Sequence, residues 1–241
     1  MKLKKMGQKY ILTEETIVVN GHKLHRIKAI RDFNNVKSGQ LGGFIESETN
    51  LSHDGNAWAY GNTMVYGNAR VFGNAKVCDD VKACDYARVC GDSRVSGNAM
   101  VYDNAMVSDN AMVSGNARVC ENAMVSCNAI VCDDARVCDN AMVYGNAMVS
   151  GNARVCGDVE VYGYATVCGD VKVSSRADYI VFKNWWSSGR YFTWTRSNDM
   201  WRVGCFYGSG KELVAKAYKD SETSGREYQR IVEYVESIKK M

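Results

Sequence analysis

The chain has 241 residues, 46% of them hydrophobic, with 30 basic against 27 acidic side chains and a net charge of +3. That balance argues against an acidic nucleic-acid mimic and gives no support to general nucleic-acid binding, which calls for a strongly basic surface. No run approaches eighteen consecutive apolar residues, so no membrane span is expected; the basic opening Met1–Lys9 has no apolar stretch behind it, so no secretory leader is expected either.

Residues 10–31 predict a β-hairpin, because Ile17-Val18-Val19 and Leu24–Ile30 flank Asn20-Gly21, a dipeptide that readily takes the positive φ of a two-residue turn. The segment that follows holds Leu41-Gly42-Gly43-Phe44-Ile45-Glu46. Ile45 and Leu51 are six apart, which places the start of an irregular first coil there. The next step, Leu51 to Ala59, is eight, an insertion of two that puts His53 and Asp54 at a bulged corner.

From Ala59 to Val173 the sequence repeats every six residues, as in Gly67-Asn-Ala-Arg-Val-Phe and Asp103-Asn-Ala-Met-Val-Ser, for twenty hexads. A period of six fits neither a helix nor a simple alternating strand; it is the signature of a β-solenoid with three hexads per coil. Ala and Val, two apart, point into the prism, the residue between them points out, and Gly/Asp-Asn turns the corner. At roughly 4.8 Å per coil the rod is about 30 Å long.

Sorting outward residues eighteen apart gives three ladders. One is Met64, Lys82, Met100, Arg118, Arg136, Arg154, Lys172. The second is Arg70, Arg88, Met106, Met124, Met142, Glu160. The third is Trp58, Lys76, Arg94, Met112, Ile130, Met148, Thr166. Two faces therefore share an apolar band at one height, Met106/Met124/Met142 and Met112/Ile130/Met148. Contiguous apolar stripes of this kind suit a homotrimer in which one face of each prism meets a different face of the next. The first face ends in four consecutive cations, Arg118, Arg136, Arg154 and Lys172. Like charges at that spacing repel by roughly 1 kcal/mol in water and about 3.5 kcal/mol at an effective dielectric of 20, so the row reads either as a splayed, solvated face or as a site for an anion.

Nine of the ten cysteines lie in the repeat, eight of them just after the inward large residue, where Ser and Tyr also occur. There is no Cys-x2-Cys pair and there are only three histidines (His22, His25, His53), so no metal and no cofactor are expected. Cys120, Cys138 and Cys156 stack eighteen apart; their parallel Cβ vectors disfavour a bridge, and the expectation is free thiols in a cytoplasm. The uninterrupted hexads hold no histidine, leaving His53, beside Asp54 at the bulged corner, as the one candidate general base.

At Ser174 the repeat stops. Three strand-like runs follow, Asp178–Trp186, Arg190–Arg196 and Met200–Tyr207, with four of the five tryptophans. Trp185, Trp186, Trp194 and Trp201, at near-alternating positions, read as a small core with base stacking as the alternative, and Cys205 reads as buried. Because Trp185 and Trp186 point to opposite sides, one of them is left for a partner. Two helices are announced by capping boxes, Ser209-x-x-Glu212 and Ser224-x-x-Glu227. The first also explains Gly208-Ser-Gly-Lys211, which lacks the spacing and the Ser/Thr of a phosphate loop. The organisation is thus 1–50 hairpin and first irregular coil, 51–176 solenoid, 177–241 α+β region.

The runs Tyr10-Ile-Leu-Thr-Glu-Glu-Thr, Arg26–Phe33, Leu41–Glu46, Asn50-Leu-Ser and Gly55-Asn-Ala-Trp, with Val203–Leu213 and Gly225-Arg-Glu-Tyr near the end, carry a resemblance. The chain resembles phage, prophage and bacterial hexapeptide-repeat proteins of the polymer-forming or acetyltransferase-like type. The resemblance implies a left-handed β-helix with an N-terminal hairpin cap and a C-terminal α+β cap, in a phage setting inside a bacterial cell. The expected function is a non-catalytic binding protein that sequesters a nucleotide-like anion or blocks a host protein, as in countering a bacterial defence. The alternatives are a CoA-dependent acyltransferase using His53 and a structural scaffold.

Overall fold

The computed structural model describes residues 7–239, so the basic stretch 1–6 falls outside it. Strand β1 (Tyr10–Val19) and strand β2 (His22–Ala29) form the antiparallel hairpin, turned at Asn20 and Gly21 with φ of 51° and 84°. Strand β3 (Leu41–Ile45) pairs antiparallel with β2 on one side and parallel with the rung Met64–Val65 on the other. The hairpin thus continues one wall of the solenoid into a 10-stranded sheet. β1 becomes its edge, interrupted by a register shift between Leu12 and Thr16, where Glu14 and Glu15 blunt pairing with another chain. Gly42 and Gly43 let β3 lie this close to the coils: a Cβ on either would stand 2.6 Å from the carbonyl oxygen of Ala59 or Thr63.

The body is a parallel β-solenoid whose other two walls are sheets of 7 and 6 strands. Each rung is short, one outward and one inward residue, and pairs in register with rungs eighteen residues away, as Arg118↔Arg136 and Val119↔Val137 do. The inserted pair at 53–54 is visible in the register. Ile45 faces Val65 and Leu51 faces Val71, steps of twenty, whereas Ala59 faces Val77, a step of eighteen. The inward Val and Ala residues are fully buried and form one continuous column. Where Ala83 takes the large inward position, Val81 takes the small one, and both are buried.

Corners are held by two devices. The first turn residue has positive φ, so Gly or Asp is favoured there. Where it is Asp, the carboxylate accepts the backbone N–H of the next coil's corner, as Asp109 does from Cys127 at 3.0 Å and Asp139 from Gly157 at 2.7 Å. The second turn residue forms ladders in which each Asn amide donates to the next coil, as in Asn104→Asn122→Asn140→Asp158. Aspartate, lacking a donor, ends such a ladder.

Beyond Val173 a four-stranded antiparallel meander (Tyr179–Lys183, Tyr191–Thr195, Met200–Val203, Phe206–Gly208) packs with helices α1 (Gly210–Asp220) and α2 (Glu222–Ile238). It lies against the last coil. Thr193 Oγ1 and Ser197 Oγ accept the backbone N–H groups of Thr166 and Lys172 at 2.9 Å each, and Tyr164 stacks on Tyr191. The run expected from Met200 to Tyr207 is two strands, because Gly204 turns the chain at positive φ. Cys205 consequently sits exposed in that turn rather than buried. Ser209 caps α1 as expected, but α2 begins earlier than Ser224: its cap is Ser221, whose hydroxyl accepts from the Ser224 N–H. Ser224 and Gly225 are interior, and Gly225 is needed because the Tyr218 ring occupies the space of a Cβ. Among the described residues no helix is long and apolar enough to cross a membrane.

Candidate functional site

The solenoid carries its outward residues in three in-register rows, and the sequence places nearly all of them correctly. Met106, Met124 and Met142 are aligned on one wall, and Met112, Ile130 and Met148 on the next. Met112 and Met142 are each 36% exposed and the others half-buried. Trp58 departs from its row. It is fully buried, because the loop after β2 brings Phe33 across it edge-on at 5.3 Å, and Tyr10 closes the other side at 6.0 Å.

On the third wall Arg118, Arg136, Arg154 and Lys172 stand on successive rungs. Beside them the corner residues Asn116, Asp134, Asn152 and Asp170 line an open groove of about 560 Å³ together with the three arginines. Asn116 donates to Asp134 and Asn152 to Asp170, which holds those carboxylates in the corner ladder. Among the described residues no ion pair engages any of the four cations. The groove therefore presents a row of guanidinium groups with free donors, edged by oxygen acceptors.

Along the opposite edge of the same wall runs a column of thiols and phenols: Tyr66, Cys84, Tyr102, Cys120, Cys138 and Cys156. The hairpin covers its first part, where Leu24, Phe44, Tyr66 and Cys84 form a small apolar cluster. Burial pushes the Cys84 thiol up to about 12, and the neighbouring Asp85 adds to it. Cys138 is likewise pushed up, by burial first and then by the adjoining Cys156 thiol. All ten cysteines are unbridged.

His53 lies at the base of the hairpin. Its ring stacks on Tyr10 at 4.2 Å, Nδ1 accepts the Lys9 N–H at 3.4 Å, and Nε2 is buried 3.8 Å from Glu48, beyond hydrogen-bond reach. Burial holds its pKa below the usual imidazole range. The nearby Lys9 is fully buried with Nζ donating to the Ala57 carbonyl at 2.8 Å, and burial lowers its pKa to about 8. Nε2 thus faces protein rather than a solvent-filled cleft from which a substrate could reach it.

In the α+β region Trp185 is 74% exposed, while Trp186 packs edge-on against Tyr228 and Phe192. Trp194 and Trp201 are buried as expected. A cleft of about 340 Å³ there is lined by Arg190, Cys205, Lys216, Asp220 and Tyr228 among others. At the Gly208–Lys211 turn the Glu212 carboxylate accepts the Ser209 N–H at 2.8 Å, so it occupies the donor a phosphate would need.

A family model described as the YdcK beta solenoid repeat matches residues 93–108, 101–115, 105–121, 135–151 and 143–157. Over its middle coils the chain is similar to that repeat. The matched segments carry Arg118, Arg136 and Arg154, as well as the methionines at 106, 112, 142 and 148. No curated protein matches the chain.

Proposed function

We propose that the chain is a non-catalytic binding protein that holds an extended phosphate-rich anion, of the nucleotide or polyphosphate kind, along Arg118, Arg136, Arg154 and Lys172. The observation that carries this reading is the run of four in-register cations without an ion-pair partner among the described residues. Four like charges one rung apart repel, and a linear anion with a comparable repeat relieves that repulsion while accepting bidentate guanidinium hydrogen bonds. The Asn and Asp ladder at the groove edge supplies acceptors for hydroxyl groups of the same ligand.

The two methionine stripes support a homotrimer, since adjacent apolar faces at one height close a threefold ring by heterologous contacts. The hairpin and the α+β region act as caps on a left-handed hexapeptide coil, and the setting is a phage-encoded protein inside a bacterial cell, where capture of a signalling nucleotide would blunt a defence. Acyl transfer is the weaker reading because His53 Nε2 is buried.

Isothermal titration with tripolyphosphate and with a cyclic dinucleotide tests the site. Hydrogen bonds to charged groups contribute about 1.5–3 kcal/mol each, so Arg118→Ala/Arg136→Ala/Arg154→Ala should weaken binding by at least about a thousandfold. Equal affinity in the triple variant, with circular dichroism unchanged, would rule the ladder out.

A further inference from the structure

We propose that Cys138, Asp139 and Cys156 form a binding site for a thiophilic divalent cation, Zn²⁺ by ligand type. The two sulfurs and a carboxylate oxygen of Asp139 lie within 4.8 Å of one another, all on half-buried residues, and this is the one such trio among the described residues. The coil brings them together: Cys138 and Cys156 follow the paired rungs Arg136–Val137 and Arg154–Val155, and the Cys138 N–H donates to the Val155 carbonyl at 3.0 Å. Asp139 takes the positive-φ corner, φ 58°, and its Oδ2 accepts the Gly157 N–H at 2.7 Å. That bond fixes the carboxylate, the kind of outer support that metal-binding carboxylates have, and the Glu121 side chain of the coil before lies against its other side.

The geometry suits a metal better than a disulfide. Rungs in register keep the two Cα–Cβ bonds parallel, whereas a disulfide needs a dihedral near 90°. Two thiolates on one tetrahedral zinc, at about 2.3 Å each, sit about 3.8 Å apart, which neighbouring rungs about 4.8 Å apart reach by side-chain rotation alone. Two sulfurs and one oxygen select zinc-like ions over calcium or magnesium, and three protein ligands leave a fourth position for water. On uptake each thiol releases its proton to solvent as its sulfur binds, so the loaded site carries one net negative charge. Arg136 and Arg154, two residues before each cysteine, lie on the same wall to offset it. Cys120, one coil earlier, is not one of the trio; its thiol is paired with the Tyr102 hydroxyl.

Cobalt titration of the reduced, chelator-treated protein reads the site directly. One equivalent of Co²⁺ should give a thiolate-to-cobalt charge-transfer band with the strong visible bands of tetrahedral coordination, and Zn²⁺ should displace it. Cys138→Ser/Cys156→Ser should abolish the band while circular dichroism stays unchanged, because serine already occupies equivalent corners at 96, 108, 114 and 126. Asp139→Asn, which keeps the oxygen that accepts from Gly157, should weaken Co²⁺ binding at least about tenfold. Absence of the band in the native chain, its persistence in the double serine variant, or unchanged affinity in Asp139→Asn would each overturn the assignment.

Discussion

The reversed hexad at Val81-Lys82-Ala83 offers a sharp test of how the solenoid core is packed. The next four coils on that wall have Ala first and Val second, as in Ala99-Met100-Val101; here the order is exchanged, and both side chains remain buried. Val81→Ala alone removes two buried carbons, about 1.6 kcal/mol of transfer free energy, and the cavity left between coils raises the cost to about 2–3 kcal/mol. Ala83→Val alone adds two carbons to a filled layer and should cost about 1–3 kcal/mol. The double variant restores the order of the other coils at constant volume and should lie within about 1 kcal/mol of the native chain. The singles then sum to about 3–6 kcal/mol, so the implied coupling is at least about 2 kcal/mol, at the upper end for residues in contact. Urea unfolding of the four proteins, followed by tryptophan fluorescence and circular dichroism, measures it. Additive effects, with the double variant as unstable as the sum of the singles, would refute the idea that the two positions share one volume.

Ser93 replaces the usual Ala at an inward position, and its buried hydroxyl has no partner. Ser93→Ala should therefore raise stability by about 1 kcal/mol, seen as a higher urea midpoint at unchanged slope. Alkaline pH should destabilise the fold through Cys84. Its thiol titrates near 9.0 when unperturbed and at about 12 when folded, so the stability it contributes is complete below pH 9 and lost as pH rises toward 12. Lys9 works the other way, with a folded value of about 8 against 10.5, gaining stability between those limits. Cys84→Ala should flatten the alkaline fall, and an unchanged pH profile would exclude this cause. Sedimentation velocity should give a trimer in which Met112→Glu or Met142→Glu yields monomers; a monomeric native chain at micromolar concentration would end the proposed ring.

What the sequence reveals here is whatever depends on a fixed period. Once Ala and Val recur every six residues, inward and outward sides, rung register and wall membership follow, and even the two extra residues at His53–Asp54 reappear as steps of twenty. What it hides depends on chain segments without a period. Trp58 has the spacing of an outward residue but is covered by Phe33, contributed by a loop whose path no local pattern dictates. Gly204 divides a run of strand-forming residues because a hairpin turn there satisfies the backbone twice. Ser221, not Ser224, caps α2, and Gly225 then lies inside the helix against the Tyr218 ring, a contact between helices that the local pattern does not show. The eighteen-residue period does stack Cys138 on Cys156, but the Cys138–Asp139–Cys156 trio escapes a search for short cysteine spacings and histidines. Position 138 plus eighteen, with an aspartate next to the first cysteine, was the available signal.

The central claim is that an anion lies along one wall of the prism, and the most direct measurement is of the guanidinium groups themselves. In protein labelled with ¹⁵N-arginine, addition of tripolyphosphate should shift the Nε–Hε resonances of Arg118, Arg136 and Arg154 together, with a common binding curve. Shifts confined to Arg190, in the cleft of the α+β region, or none at saturating ligand, would contradict it.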